Sequence, residues 1–287
     1  MGEPVPELEA RQLRYFVALA EERHFGRAGN RLGIAQPPLS RAIRQLERRL
    51  GVALLERSSR GISLTAAGEV LLAEGSAALA AITAATRHTQ RAGLADPHLV
   101  LAMKPGGDGG LLPAILAEYE RQPGAIPVDI IFSAGERTAM LRDGRADVGL
   151  LHSPHNDLSG LDSEELRTET QVVLLADHHP LTQQASVTLA ELAGETMPRW
   201  PGTSQAGDTR PVVHDIGQLM QLITLRRLVA VVPASVRSRL PPGLTCRPVP
   251  DAPLVTIRVA WPRGSTSQQV ASFVRAAGTA ASRGRAA

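Results

Sequence analysis

Arginine supplies almost all of the cationic chemistry in this chain: of 31 basic residues, 30 are arginine and only Lys104 is lysine. Eight arginines (Arg27, Arg31, Arg41, Arg44, Arg48, Arg49, Arg57 and Arg60) fall within residues 25–60 against Glu47 and Glu56. That density suits a polyanion, with a solvated helix face as the competing reading on charge alone. Lys104 heads the run KPGGDGG, placed between a strand pattern and a helix pattern. Free N–H groups at that helix start are expected to receive an anion, with Lys104 adding charge and Gly106 and Gly107 letting a ligand approach. Ser133 and Glu136 in SAGE are expected to add polar contacts, and Trp200 in RWPG an apolar wall. A solvated Lys104 and a merely buried Trp200 are the competing readings.

Other chemistries find less support. GxxxxGK[ST] is absent, which argues against phosphate-loop binding, and so are GxSxG and HExxH. The histidines of HSPH (152–155) and DHHP (177–180) are metal-ligand types, but both read as loops, so no metal is expected. Cys246 is the sole cysteine, which leaves neither a disulfide framework nor a cysteine-based zinc site within the chain. Neither a catalytic site nor a cofactor is expected.

These residues need elements to hold them. Leu13, Phe16, Val17 and Ala20 recur at helical spacing, and Phe25, Ala28 and Leu32 repeat the pattern after a break at His24. Gly33 suits a tight turn, and Pro37 and Pro38 suit a helix's first turn, so a third helix should start near Gln36. It would pack Leu39, Ala42, Ile43, Leu46 and Leu50 on one side and leave Ser40, Arg41, Arg44, Gln45 and Arg48 on the other. LLER and ISL flanking SSRG predict a small hairpin with Arg57 and Arg60 near its tip. Thr65 should cap a helix of some 27 residues, roughly 40 Å long. Along it Leu71, Gly75, Ala78, Ile82 and Ala85 step like a helix-pairing seam.

After RAGLADP (91–97), strands alternate with helices, which predicts an α/β domain with a largely parallel sheet. Two lobes are expected, lobe I over about 98–162 and 254–280 and lobe II over about 163–250. The formal net charge is +3; residues 1–65 carry eleven arginines against seven acids, so they are basic and the remainder is nearly balanced. No apolar run reads as long enough to span a bilayer, and MGEPVPELEARQ lacks the features of a signal peptide, so a cytoplasmic location and no membrane partner are expected.

Residues 13–68 carry a specific likeness. The leading Leu13 and Phe16, Ala28-Gly29 before Leu32, Gln36-Pro37, Ser40, Ile43, Leu46-Glu47, Leu50-Gly51, Arg57, and Leu64-Thr65 through Gly68 resemble the winged helix-turn-helix of LysR-type transcriptional regulators. LLPAILAEY, LRDGRADVGLL, the HPL of 179–181 and VAVVP extend the likeness more weakly towards the C-terminus. Gly29 replaces a second alanine and Leu55 a commoner phenylalanine, while Arg226 and Leu228 stand where many relatives have the glycines of a GLG turn.

The resemblance implies an all-α winged helix-turn-helix domain (8–65), a linker and dimerisation helix (66–92), and a two-lobed α/β effector domain (98–287) similar to periplasmic binding proteins. It implies that Gln36, Pro37, Pro38, Ser40, Arg41 and Arg44 meet double-stranded promoter DNA in the major groove, with Arg57 and Arg60 on adjacent phosphate or minor groove. It further implies a small-molecule effector of anionic character in the cleft, a homodimer assembling to a tetramer, and contact with RNA polymerase. A ligand-independent architectural DNA-binding protein is the alternative, and an α/β binding or catalytic protein with an N-terminal assembly domain the more distant one.

Overall fold

A computed structural model describes residues 7–58, 61–200 and 208–286, except the side chains of 57, 58, 285 and 286. The chain divides into two compact units, Met1–Arg87 and His88–Ala287.

The first unit is built by three short helices. Helix α1 (Ala10–Glu22) begins where the Gln12 side chain accepts from the Glu9 N–H, and it stops at Arg23 in the left-handed region. Helix α2 (Phe25–Leu32) starts at His24, whose Nδ1 accepts from the N–H groups of Gly26 and Arg27, and ends at Gly33 with φ 68°. Helix α3 (Gln36–Leu50) opens with its prolines in the first turn and ends at Gly51, φ 70°. Phe16, Leu19, Ala28, Leu39, Ile43, Leu46 and Leu54 close one core between them. Strands β1 (Leu55–Ser58) and β2 (Gly61–Leu64) form the antiparallel hairpin, Leu55 opposite Leu64. Glu47 ties it to α3, its carboxylate accepting from the N–H groups of Leu54 (2.9 Å) and Leu55 (3.2 Å).

Two glycines are required by close approach. At Gly29 a Cβ would lie 2.8 Å from the Ile34 carbonyl oxygen, so this chain's α2–α3 turn needs glycine at the position where the resemblance has a second alanine. At Gly68 a Cβ would lie 2.2 Å from the Leu54 carbonyl oxygen. Gly68→Ala is therefore expected to destabilise the first unit by about 1–3 kcal/mol, read as a lower denaturation midpoint; an unchanged midpoint would show that the wing and the long helix can separate freely.

That helix, α4 (Ala66–Ala92), is capped by Thr65, whose Oγ accepts from Gly68 N–H at 3.0 Å. Its seam divides. Leu71 packs on the core of the first unit and Gly75 faces Leu13, whereas Ala78, Ile82 and Ala85 are exposed, as is Val70. By length and composition alone α4 would also pass for a membrane span, which corrects the expectation that no run is apolar enough. The helix carries Glu69 and Glu74 in an alanine-rich sequence.

The second unit holds two sheets. The first, in the order β4-β3-β5-β10-β6, comprises β3 (Leu99–Met103), β4 (Val128–Phe132), β5 (Val148–Ser153), β6 (Leu161–Glu169) and β10 (Val255–Pro262). The second, β8-β7-β9, comprises β7 (Gln171–Ala176), β8 (Ala230–Pro233) and β9 (Leu244–Val249). Helices α5 (Leu112–Glu120) and α8 (Gln268–Ala286) pack on the first sheet, α6 (Arg137–Arg142) lies against β5, and α7 (Ile216–Thr224) packs on the second sheet.

Two expectations are corrected here. Only β4-β3-β5 run parallel; β10 is antiparallel to β5 and β6, and the second sheet is wholly antiparallel. Residues 163–169 also belong to the first lobe, because β6 adds to the edge of its sheet; the polar run LDSEELRTE is half-exposed there and shows no apolar block. The chain passes between sheets at Thr170 and again at 250–254. The Gln171 amide donates to the Pro253 carbonyl (2.8 Å), joining the two crossings.

The turn near 226, where many relatives carry glycines, is made without one. Arg226 adopts φ 55° and Leu228 is buried in the second lobe's core. A left-handed conformation for a residue with a Cβ costs on the order of 1 kcal/mol; the exposed turn is closed by the Arg226 N–H on the Ile223 carbonyl (2.8 Å) and the Arg227 N–H on the Leu222 carbonyl (2.9 Å).

Candidate functional site

On α3 the buried residues are Leu39, Ile43 and Leu46, so the helix turns its opposite side outward. Gln36, Pro37, Pro38, Arg41, Arg44, Gln45 and Arg48 are exposed and Ser40 is half-buried. The eight arginines do not form one population. Arg27 and Arg31 pair with Glu22 and Glu21, the latter at 2.6 Å, and Arg49 approaches Glu9 at 3.7 Å. Arg41, Arg44 and Arg48 pair with no carboxylate among the described residues. They follow at helical spacing along one outward face, and their charge is free for a phosphate or a base edge. The Arg57 side chain and the whole of Arg60 lie outside the described residues.

In the second unit a cavity of about 430 Å³ opens between the two sheets. Its first-lobe wall carries Lys104, Gly106, Gly107, Arg137, His152, His155 and Asn156; its second-lobe wall carries Trp200, Ile216, Val231 and Val232. Lys104 leaves the end of β3, Arg137 opens α6, and His152 comes from β5, so the groups converge at the carboxyl ends of parallel strands, where open α/β sheets present ligand sites.

The electrostatics of that wall are unusual. Arg137 is 4% exposed, and its guanidinium donates to the carbonyls of Ser133 (2.6 Å) and Ala134 (2.8 Å) and to Asn156 Oδ1 (3.2 Å). All three acceptors are neutral, and among the described residues Nε has no partner. The stem of Lys104 lies over Gly107, where a Cβ would come within 2.2 Å of it. Among the described residues its ammonium makes no hydrogen bond or ion pair. Burial and the Arg137 charge push the Lys104 ammonium down to about 8, against the pull of Glu169. Burial, then the charges of Lys104 and Arg137, push His152 down to about 2, so its ring stays neutral. Burial and Lys104 lower His155 as well.

Comparison with known proteins assigns both parts of the chain to one family. Residues 10–69 match the family described as bacterial regulatory helix-turn-helix protein, lysR family, and residues 92–282 match the LysR substrate binding domain. This chain is a LysR-type transcriptional regulator. It is 37% identical to the regulator AlsR of Bacillus subtilis over 191 residues, which are 66% of this chain and 63% of that protein. It is 30% identical to the Hca operon activator HcaR of Escherichia coli, over 93% of this chain and 96% of that protein. The crystal structure of full-length BenM is similar across 97% of this chain and 98% of its own, at 25% identity and a TM-score of 0.55. The regulator therefore combines a helix-turn-helix DNA-binding domain with an effector-binding domain.

Within that frame the expected site residues separate. Lys104, Gly106, Gly107 and Trp200 all line the cavity. Ser133 and Glu136 do not: Ser133 Oγ accepts from Glu136 N–H at the start of α6, and the Glu136 carboxylate pairs with Arg145 at 2.8 Å. Arg137 and Thr138, a step further on, line it instead. The anion expected at the start of α5 is already supplied from within the loop. Asp108, 4% exposed, accepts from Leu112 N–H (3.3 Å) and pairs with Arg239 (3.2 Å). The HSPH histidines sit in the wall of this cavity, while His179 caps a 3-10 turn by accepting from Leu181 N–H.

The suppressed histidine has a pH consequence. The unfolded chain takes up a proton at His152 near 6.5, whereas the folded ring resists it down to about 2. Across that window the unfolded state binds more protons, so stability falls as the pH drops below 6.5, by about 1.4 kcal/mol per unit. Between pH 7 and pH 5 the melting temperature is expected to fall further in wild type than in His152→Phe; equal falls would contradict the buried neutral ring.

Proposed function

We propose that this regulator reads promoter DNA through the outward face of α3 and adjusts that binding to an anionic metabolite held between the lobes of its effector domain. Gln36, Ser40, Arg41 and Arg44 reach base edges or neighbouring phosphates, Pro37 and Pro38 give apolar contact, and Arg57 and Arg60 on the wing position the domain. Arg48, equally unpaired, joins them as a phosphate contact. Dimerisation uses the exposed Ala78, Ile82 and Ala85 face of α4, and a two-fold dimer presents two recognition helices to a two-fold related site. Pairing of dimers into a tetramer, DNA bending, polymerase contact and a cytoplasmic location complete the proposal. Action is by binding, not turnover.

One observation carries the effector half: two buried or half-buried cations, Lys104 and Arg137, face one cavity without an ion pair among the described residues, while Asp157 and Asp215, which also line it, are engaged by Arg142 and by the Gln218 N–H. A charge kept unpaired in the apoprotein is costly and is compensated by a ligand of opposite sign. An effector favours one arrangement of the lobes and so shifts DNA affinity, a coupling of about 1–3 kcal/mol. Fluorescence anisotropy on a promoter duplex, with a panel of small carboxylates added, tests this. Wild type should respond to at least one acid and Lys104→Met to none. A response retained in Lys104→Met would remove the lysine from the site, and silence of the wild type would favour the ligand-independent reading.

A further inference from the structure

One short element of the second lobe is held at both ends by buried carboxylates of the first. The 3-10 helix Ala234–Arg239 follows β8 directly. At its start the Ser235 N–H donates to Glu169 Oε2 at 3.0 Å. At its end Arg239 meets Asp108 through Nη1–Oδ1 at 3.2 Å and Nη2–Oδ2 at 3.4 Å. Asp108 and Glu169 are buried, whereas the Arg239 side chain is half exposed. Two parallel bonds fix orientation as well as distance, and a buried carboxylate that lost its cation would be left uncompensated.

Both carboxylates also grip the glycine loop that carries Lys104. Asp108 belongs to that loop. Glu169 Oε1, which has no partner among the described residues, lies so close to Gly109 that a Cβ there would come within 2.7 Å of it. Arg167 donates to the Gly109 carbonyl at 2.6 Å. Gly106 and Gly109 sit in the left-handed region, φ 67° and 58°, so the loop's backbone has wide freedom and these ties set its shape. The Lys104 stem rests on Gly107, immediately before Asp108. A shift of Asp108 therefore moves the platform under the lysine.

We infer that Arg239 is a positioning residue of the effector cavity: through Asp108 it holds the glycine loop against the second lobe and keeps Lys104 in place, so that movement of one lobe is felt at the lysine. The role rests on the effector site proposed above, since Lys104 is the group that it positions. Around Lys104 stand Arg137 on α6, Glu169 on β6, and His152 and His155 at and beyond the end of β5. Asp157 and Asp215 line the same cavity and are engaged by Arg142 and the Gln218 N–H. Arg239 reaches the lysine through the loop.

The chain's only lysine makes this measurable without a ligand. Full-length protein grown on lysine isotope-labelled at Cε gives a single lysine signal in NMR, whose titration reads Lys104 alone. In wild type it should titrate near 8. In Arg239→Gln it should move at least about halfway towards the ordinary lysine value of about 10.4, because the released loop lets water reach the ammonium. Asp108→Asn cuts the same pair from its other side, leaves an amide oxygen for the Leu112 N–H, and should give the same shift. Arg237→Gln removes an exposed cation, unpaired among the described residues, from the same 3-10 helix and should leave the lysine near 8. An unmoved titration in Arg239→Gln and Asp108→Asn, or an equal shift in Arg237→Gln, would overturn the positioning role and leave the effector site standing. A wild-type lysine that already titrates at its ordinary value would overturn both, because the confined ammonium on which the effector site rests would be gone.

Discussion

Lys104→Met is expected to raise the melting temperature of the unliganded protein and, in the same variant, to remove its response to effector. The two effects have one cause. The ammonium is half-buried, its stem covers Gly107, and burial together with Arg137 pushes it down to about 8. An unfolded lysine keeps its ordinary value, so at neutral pH folding must hold a charge that its surroundings disfavour. After allowing for solvent screening, that cost is on the order of 1–3 kcal/mol. Methionine keeps the unbranched stem and deletes the charge, which should add roughly 2–8 °C to the melting temperature of a domain of this size. The gain should shrink above pH 8, where the wild-type lysine loses its proton and its penalty with it. Residues placed for function against stability behave in this way. A lower melting temperature in Lys104→Met would contradict this account, because it would mean that the ammonium is satisfied within the fold.

Arg41→Ala is the second large effect, and Arg49→Ala is its control. Both arginines lie on α3, but Arg49 approaches Glu9 at 3.7 Å, while Arg41 is exposed and, among the described residues, unpaired. On a duplex selected by the wild-type protein from a random library, Arg41→Ala should lose about 1–3 kcal/mol of affinity, roughly ten- to a hundredfold, and far less on unrelated DNA. Arg49→Ala should change little on either. Equal losses for Arg41→Ala on both duplexes would reduce that side chain to a phosphate contact. Equal losses for the two variants would dismiss the distinction between paired and unpaired arginines.

That distinction shows where the sequence is legible. Local periodicity and the prolines placed α3 at Gln36–Leu50 and separated its apolar side from its arginine side. They could not tell which arginines are neutralised, because Arg27 and Arg31 meet their acids on another helix and Arg49 meets Glu9 forty residues earlier. The cavity between the two sheets was half legible. A glycine-rich loop with the chain's only lysine pointed to Lys104, and a scarce aromatic pointed to Trp200.

Arg137 and His152 were missed for different reasons. The arginine follows Glu136 in a polar run, and which of the two turns inward depends on the start of a six-residue helix. His152 did carry a signal. It follows the apolar run VGLL at the carboxyl end of a parallel strand, where polar residues face the crevice of an α/β sheet. Asp108 was equally readable, since an acid inside the glycine loop and just ahead of a helix is positioned to cap it. The β6 edge was not readable, because a half-exposed strand at a sheet's border needs no apolar block.

The most direct test of the central claim, that this chain is a sequence-specific regulator acting through α3, is the affinity of the purified full-length protein for its library-selected duplex against a scrambled one at two salt concentrations. The account predicts a preference of at least about a thousandfold at physiological salt, persisting when the salt is raised. Equal affinities that collapse together as salt rises would contradict it, leaving the arginine face as a general polyanion patch.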